Sequence, residues 1–128
     1  MFRVCRYTIR QYEPQFNIDN FTPKTLDKII DLWNSDTIKF SCSESHFINS
    51  IGAAFGHYLV KTYKMKWTIV TDEYGTDYAT TIAEIKLTNF PINSVAKAID
   101  QKRENSLQTI SLINKQRIEE LKKEREKE

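Results

Sequence analysis

Cysteine is scarce in this chain, and the backbone breakers are scarcer than in most. Two cysteines, three glycines and three prolines among 128 residues exclude a disulfide-stapled scaffold, a collagen-like fibre and a Pro/Gly-rich disordered segment. A surplus of positive charge is lacking too. The 19 Lys and Arg against 17 Asp and Glu give a net charge of +2, without the broad basic field that counterion release on nucleic acid rewards. No apolar run approaches the ~20 residues of a bilayer span; the longest, Ile51 to Val60, is interrupted by Gly52, Gly56 and His57. The opening MFRVCRYTIRQYEPQF holds Arg3, Arg6 and Arg10 and no apolar core of a secretory signal. These absences point to a soluble, cytoplasmic protein without membrane or nucleic-acid partners. Cys5 and Cys42 are then expected as reduced, buried thiols, since nothing in their spacing demands a bridge.

What is present suffices for one core: 40% hydrophobic and 12% aromatic residues in a length that suits a single domain. Residues 1–13 carry Phe2, Val4, Cys5, Tyr7, Ile9 and Tyr12 among basic residues, a pattern that predicts a strand. Thr22 and Pro23 can cap and start a helix over 23–34, in which Leu26, Ile29, Ile30 and Trp33 fall on one face. Ser43 opens a longer one, to about Lys64, with Phe47, Ile51, Phe55 and Leu59 buried. Its Gly52 and Gly56 weaken the helix and therefore read as places where another element approaches closely. Trp67, Ile69 and Val70 form a strand, Gly75 supplies the turn, Asp77 to Ile82 returns, and Ile85 to Leu87 alternates as a third strand. Pro91 starts a helix, and Asn105 or Ser106 caps the last one, whose apolar positions run through Leu107, Ile110 and Leu112 or Ile113 to Ile118 and Leu121. From Lys115 onward six basic and five acidic residues predict a charged, fraying end. The expected architecture is α+β, with helices on one face of a small antiparallel sheet. Residues 1–114 make one domain and 115–128 a charged helical extension, and Trp33 and Trp67 should both be largely buried.

Chemistry is harder to find. His46 and His57 stand eleven residues apart on one helix, about 16 Å at 1.5 Å per residue, too far to share a zinc ion. Cys42 with His46 could form a thiol–imidazole pair, but no third residue announces an orienting partner. Thr71 to Asp77 places three carboxylates on a tight turn, too short for a calcium loop. No Gly-rich nucleotide signature or GxSxG elbow occurs. Neither a metal nor a cofactor is expected, and the chain reads as a binding protein rather than an enzyme. Its expected contact surface is the turn residues Asp72, Glu73, Tyr74, Asp77 and Tyr78, where acidic charge and tyrosine together suit steered, anchored binding.

Three segments in order, Ile51-Gly-Ala-Ala-Phe-Gly-His-Tyr-Leu, Trp67-Thr-Ile-Val-Thr-Asp-Glu-Tyr-Gly-Thr-Asp and Phe90-Pro-Ile-Asn-Ser-Val-Ala-Lys-Ala-Ile, resemble a family of small bacterial domains of unknown function. That family pairs a GxxxG helix, a WxxVTDEYG hairpin and a PxxSVAK helix start over about residues 48–110. His57 stands where the family often has Glu, and Ala98 where it often has Arg. The resemblance implies an α+β domain of bacterial origin and supplies no activity. Small size, bacterial character and the lack of a catalytic constellation together suggest a protein that acts by occlusion. The specific expectation is an immunity or antitoxin-type protein whose partner is a cognate toxin, with a regulatory module acting through the C-terminal helix and a thiol enzyme using Cys42 and His46 as alternatives.

Overall fold

The computed structural model describes residues 21–35 and 42–126; the strand expected over 1–13, with its three arginines, lies outside them. Among the described residues, four helices and a three-stranded antiparallel sheet in the order β1-β2-β3 make an α+β fold. Helix α1 (Pro23–Asn34) starts where the sequence says it should, with the Thr22 hydroxyl accepting from the Thr25 amide at 3.3 Å and Pro23 in the first turn. Helix α2 (Glu44–Tyr63) is capped by Ser43, whose hydroxyl accepts from the His46 amide at 3.2 Å, and it stops at Lys64, which adopts a left-handed φ of 58°. Strands β1 (Lys66–Asp72) and β2 (Gly75–Ile82) form the hairpin, and β3 (Leu87–Asn89) adds a short edge. Helices α3 (Pro91–Asp100) and α4 (Ser106–Glu126) follow.

Leu26, Ile29 and Ile30 of α1, Phe47, Ile51, Phe55 and Leu59 of α2, Val95 and Ala98 of α3 and Leu107 of α4 close on one another with almost no exposure. Gly52 permits the tightest of these contacts. A Cβ there would lie 2.6 Å from the Ile92 Cα and 2.7 Å from its Cγ1, so α2 and α3 could not pack at this distance around an alanine. Trp33 is half-buried and stacks on Phe47, ring centroids 4.2 Å apart.

Several expectations are corrected. The third strand begins at Leu87, not Ile85, because Ala83–Ile85 tightens into a 3-10 turn and Lys86 turns left-handed at φ 54°. Helix α4 is one helix from Ser106 to Glu126, with Ile118 buried as its periodicity expects. The buried face of α4 holds Ser111 and Asn114, while Leu112 and Ile113 face solvent. Polar pairs seat the helix instead: Tyr63 Oη donates to the Ser111 carbonyl at 3.1 Å, and Asn89 and Asn114 exchange amide hydrogen bonds of 2.8 and 3.1 Å. Cys42 is disulfide-bonded, not a reduced thiol. Sequence spacing does not report the distance between Cβ atoms on which a bridge depends.

The N-terminus of α4 is capped from far away. Asp27 of α1, only 3% exposed, accepts from the Leu107 and Gln108 amides at 2.9 Å each and from the Gln108 side chain at 3.1 Å. A carboxylate at this end of a helix satisfies donors that have no partner within the helix and meets the positive end of its dipole. Asn105 takes up φ 55° and offers its carbonyl to Thr109, so the local cap read from the sequence is replaced by one from α1.

Candidate functional site

The hairpin outruns the helices beneath it. At its base, Ala79 and Thr80 are fully covered and the Trp67 indole lies on Gly56 of α2, where a Cβ would overlap its Cη2 and Cζ2 atoms. Towards the tip every residue from Thr71 to Tyr78 is exposed. The β-branched run Thr68-Ile69-Val70-Thr71 and the pairing of Ile69 with Tyr78 and Val70 with Asp77 favour the extended form without help from a core.

Directly opposed residues share a face of an antiparallel sheet and successive ones alternate, which separates the five residues singled out from the sequence. Tyr78 lies with Ile69 and Trp67 on one face; Asp72 and Asp77 lie with Val70 on the other. Glu73 and Tyr74 form the turn, and Gly75, at φ 133° with open space where a Cβ would stand, takes the backbone conformation a side chain would oppose. The Asp72 carboxylate accepts from the Tyr74 amide at 2.8 Å, so one of its oxygens holds the turn. Tyr74 is 90% exposed and Tyr78 60%; neither ring is buried.

Trp67, expected to be largely buried, and Ile69, read only as part of a strand, belong to the site. At 41% and 60% exposure they join Tyr78 in an apolar stripe along one face of the hairpin. The signal was in the sequence: Ile69 and Val70 are adjacent, and in a strand adjacent residues cannot both face one core.

Other constellations assemble less. His46 is half-buried in the first turn of α2 and His57 is exposed, and among the described residues no group of three or more His, Cys, Asp and Glu is placed to hold a metal ion. With Cys42 oxidised, the thiol–imidazole pair has no thiolate in this state, and the disulfide sits poorly with a reducing cytoplasm. No described helix is long and apolar enough to cross a membrane. A groove of about 470 Å³ between α1 and the start of α4 is lined by Lys24, Lys28, Asp27, Asp31 and Gln108 among others. Its buried carboxylate, Asp27, already serves as the α4 cap. Burial, then the neighbouring charges of Glu104 and Asp27, raise the Asp31 carboxyl above its ordinary range.

These features define a class: a small α+β domain whose sheet extends beyond its helical body as an exposed, one-sidedly apolar hairpin. Residues 25–110 of the 128 match the family model described as a domain of unknown function, DUF3806, and the chain belongs to that family. The match takes in α1 as well as the segments from α2 onward that carried the resemblance. No curated protein and no solved structure matches the chain.

Proposed function

We propose that this protein is a non-catalytic binding module that contacts another protein through the β1–β2 hairpin. One observation carries the reading: Trp67, Ile69 and Tyr78 form an exposed apolar stripe beside the acidic turn. Tyr and Trp supply large contact area at low entropic cost, and a carboxylate rim steers a basic partner. A bacterial immunity-type role gives that contact a purpose. The hairpin would enter or cover the active site of a cognate toxin, the apolar stripe providing affinity and Glu73 and Asp77 the approach.

Loss of the gene in its own cell tests this. The expected result is growth arrest that depends on one second gene, relieved by the wild-type chain and not by a variant carrying Ile69→Lys and Tyr78→Lys. Normal growth without the gene, or full rescue by that variant, counts against the reading. The exposed pair Leu112 and Ile113 on α4 favours a second, regulatory contact through the last helix; Leu112→Ser with Ile113→Ser would then abolish rescue while the hairpin variant keeps it.

A further inference from the structure

Among the described residues β1 is hydrogen-bonded to a strand on one side only, since the sheet order is β1-β2-β3. Its outer edge is seven residues long, Lys66-Trp-Thr-Ile-Val-Thr-Asp72. Natural edge strands are usually blunted by proline, a bulge, inward charge or brevity. This one carries none of these in its interior: its charges stand at its two ends, and β1 pairs with β2 in unbroken register from Lys66 to Asp72. A long, apolar, regular edge is a template for another strand.

The sequence of that edge is complementary to itself. If a second copy runs antiparallel with Ile69 opposite Ile69, Lys66 of each chain faces Asp72 of the other, Trp67 faces Thr71, and Thr68 faces Val70. Opposite charges meet twice, β-branched residues meet at the centre, and no like charges oppose one another. Shifting the twofold by one residue, to Thr68 or Val70, removes both charge pairs. The Ile69-centred register also sets the same face of both sheets upward, so that Tyr78, Ile69, the second Ile69 and the second Tyr78 form one apolar row.

We infer that two copies of this chain associate through their β1 edges about a twofold axis at Ile69, joining two three-stranded sheets into one continuous sheet. Such an interface is isologous, as closed dimers require. It is independent of the toxin-binding reading: the edge, not the face, is occupied, and each face keeps its stripe. The contact is small, so assembly depends on concentration and falls roughly in the micromolar to millimolar range.

Sedimentation velocity and light scattering on the full chain, from low micromolar to about millimolar concentration, should show the 15.1 kDa protomer passing reversibly to a species of twice that mass. Lys66→Glu opposes two pairs of like charges and should weaken the dimer about tenfold. Ile69→Lys sets two ammonium groups face to face at the axis and should abolish it, with the circular dichroism and melting temperature of the monomer retained because Ile69 is 60% exposed. Register is read by cross-linking. With a short bismaleimide cross-linker Ile69→Cys should give an intermolecular adduct, since directly opposed Cβ atoms lie about 4.5–5.5 Å apart, and Thr71→Cys, about 13 Å from its own counterpart at 3.3 Å per residue, should not. A dimer in which Thr71→Cys links and Ile69→Cys does not overturns the proposal. So does a protein that stays monomeric throughout: protected β1 amides would then show the edge covered by the chain's own residues, and unprotected amides would leave it to a different protein.

Discussion

Replacing Gly56 with alanine separates two contributions that act in opposite directions. In the middle of α2 the substitution favours the helix by about 1 kcal/mol. Against it stands the Trp67 indole, which occupies the volume a Cβ would need. Overpacking of this kind costs roughly 1–3 kcal/mol, but the clash falls on the far end of a side chain already 41% exposed, which can swing away. The net cost should therefore be small, about 0–1 kcal/mol, while the indole moves into water. Gly52→Ala is the contrasting case. Its Cβ meets the Ile92 Cα at 2.6 Å, and backbone cannot swing away, so the upper end of the overpacking range applies and about 2 kcal/mol remains after the propensity gain. At this chain length that lowers the melting temperature by roughly 5–10 °C. Urea unfolding by far-UV circular dichroism gives the stabilities, and tryptophan emission in a Trp33→Phe background reports on Trp67 alone. Gly56→Ala should shift that emission to the red and increase its quenching by iodide, with little change in midpoint. A Gly56→Ala protein that is more stable and has unchanged emission would refute the seating of the hairpin on α2.

Three further outcomes follow from the same structure. Asp27→Ala removes two charge-assisted bonds to the first amides of α4 and should cost about 3 kcal/mol, whereas Asp27→Asn, which keeps an acceptor but loses the charge, should cost about half as much in the same urea titration. Thr80→Val should stabilise by about 1 kcal/mol, because the Thr80 hydroxyl is buried without a hydrogen-bond partner and a methyl of the same shape leaves nothing unsatisfied; a loss of stability would mean that the hydroxyl is bonded. The Asp31 carboxyl titrates above its unfolded value, so the native state disfavours its charged form: the stability it contributes is present below the unfolded pKa and lost as pH rises through the folded one. Asp31→Asn should therefore raise the melting temperature at pH 7 and leave it unchanged near pH 3, and a constant difference between the two would contradict the assignment.

Helix boundaries were legible because their signals are local. Thr22-Pro23, Ser43 and Pro91 each act on residues within one turn, and each starts the helix it announces. Gly52 and Gly56 were legible as close approaches for the same reason, although the sequence did not say that Ile92 and Trp67 fill them. What escaped was set by distance in space. Asp27 caps a helix eighty residues further along the chain, and no periodicity in either segment marks the pair. Ser111 and Asn114 displaced Leu112 and Ile113 from the buried face of α4 because their partners, Tyr63 and Asn89, were waiting on other elements. Of the candidate site, Glu73 and Tyr74 form the turn, while Asp72, Asp77 and Tyr78 belong to the strands on either side of it. Trp67 was misplaced because hydrophobicity was taken as burial, when the hairpin is longer than the layer that could cover it. The oxidation of Cys42 has no signature in a count of two cysteines.

The most direct test of the hairpin as a contact surface is site-specific photocrosslinking in the cell that makes the protein. A photoreactive phenylalanine analogue in place of Tyr78, on the apolar stripe, should yield one discrete adduct with a different protein, and that adduct should disappear when Ile69→Lys is added. The same analogue in place of Lys122, exposed on the far end of α4, should yield none. Adducts from position 122 alone, or none with another protein from position 78, would contradict the assignment of the hairpin as the surface through which this protein acts.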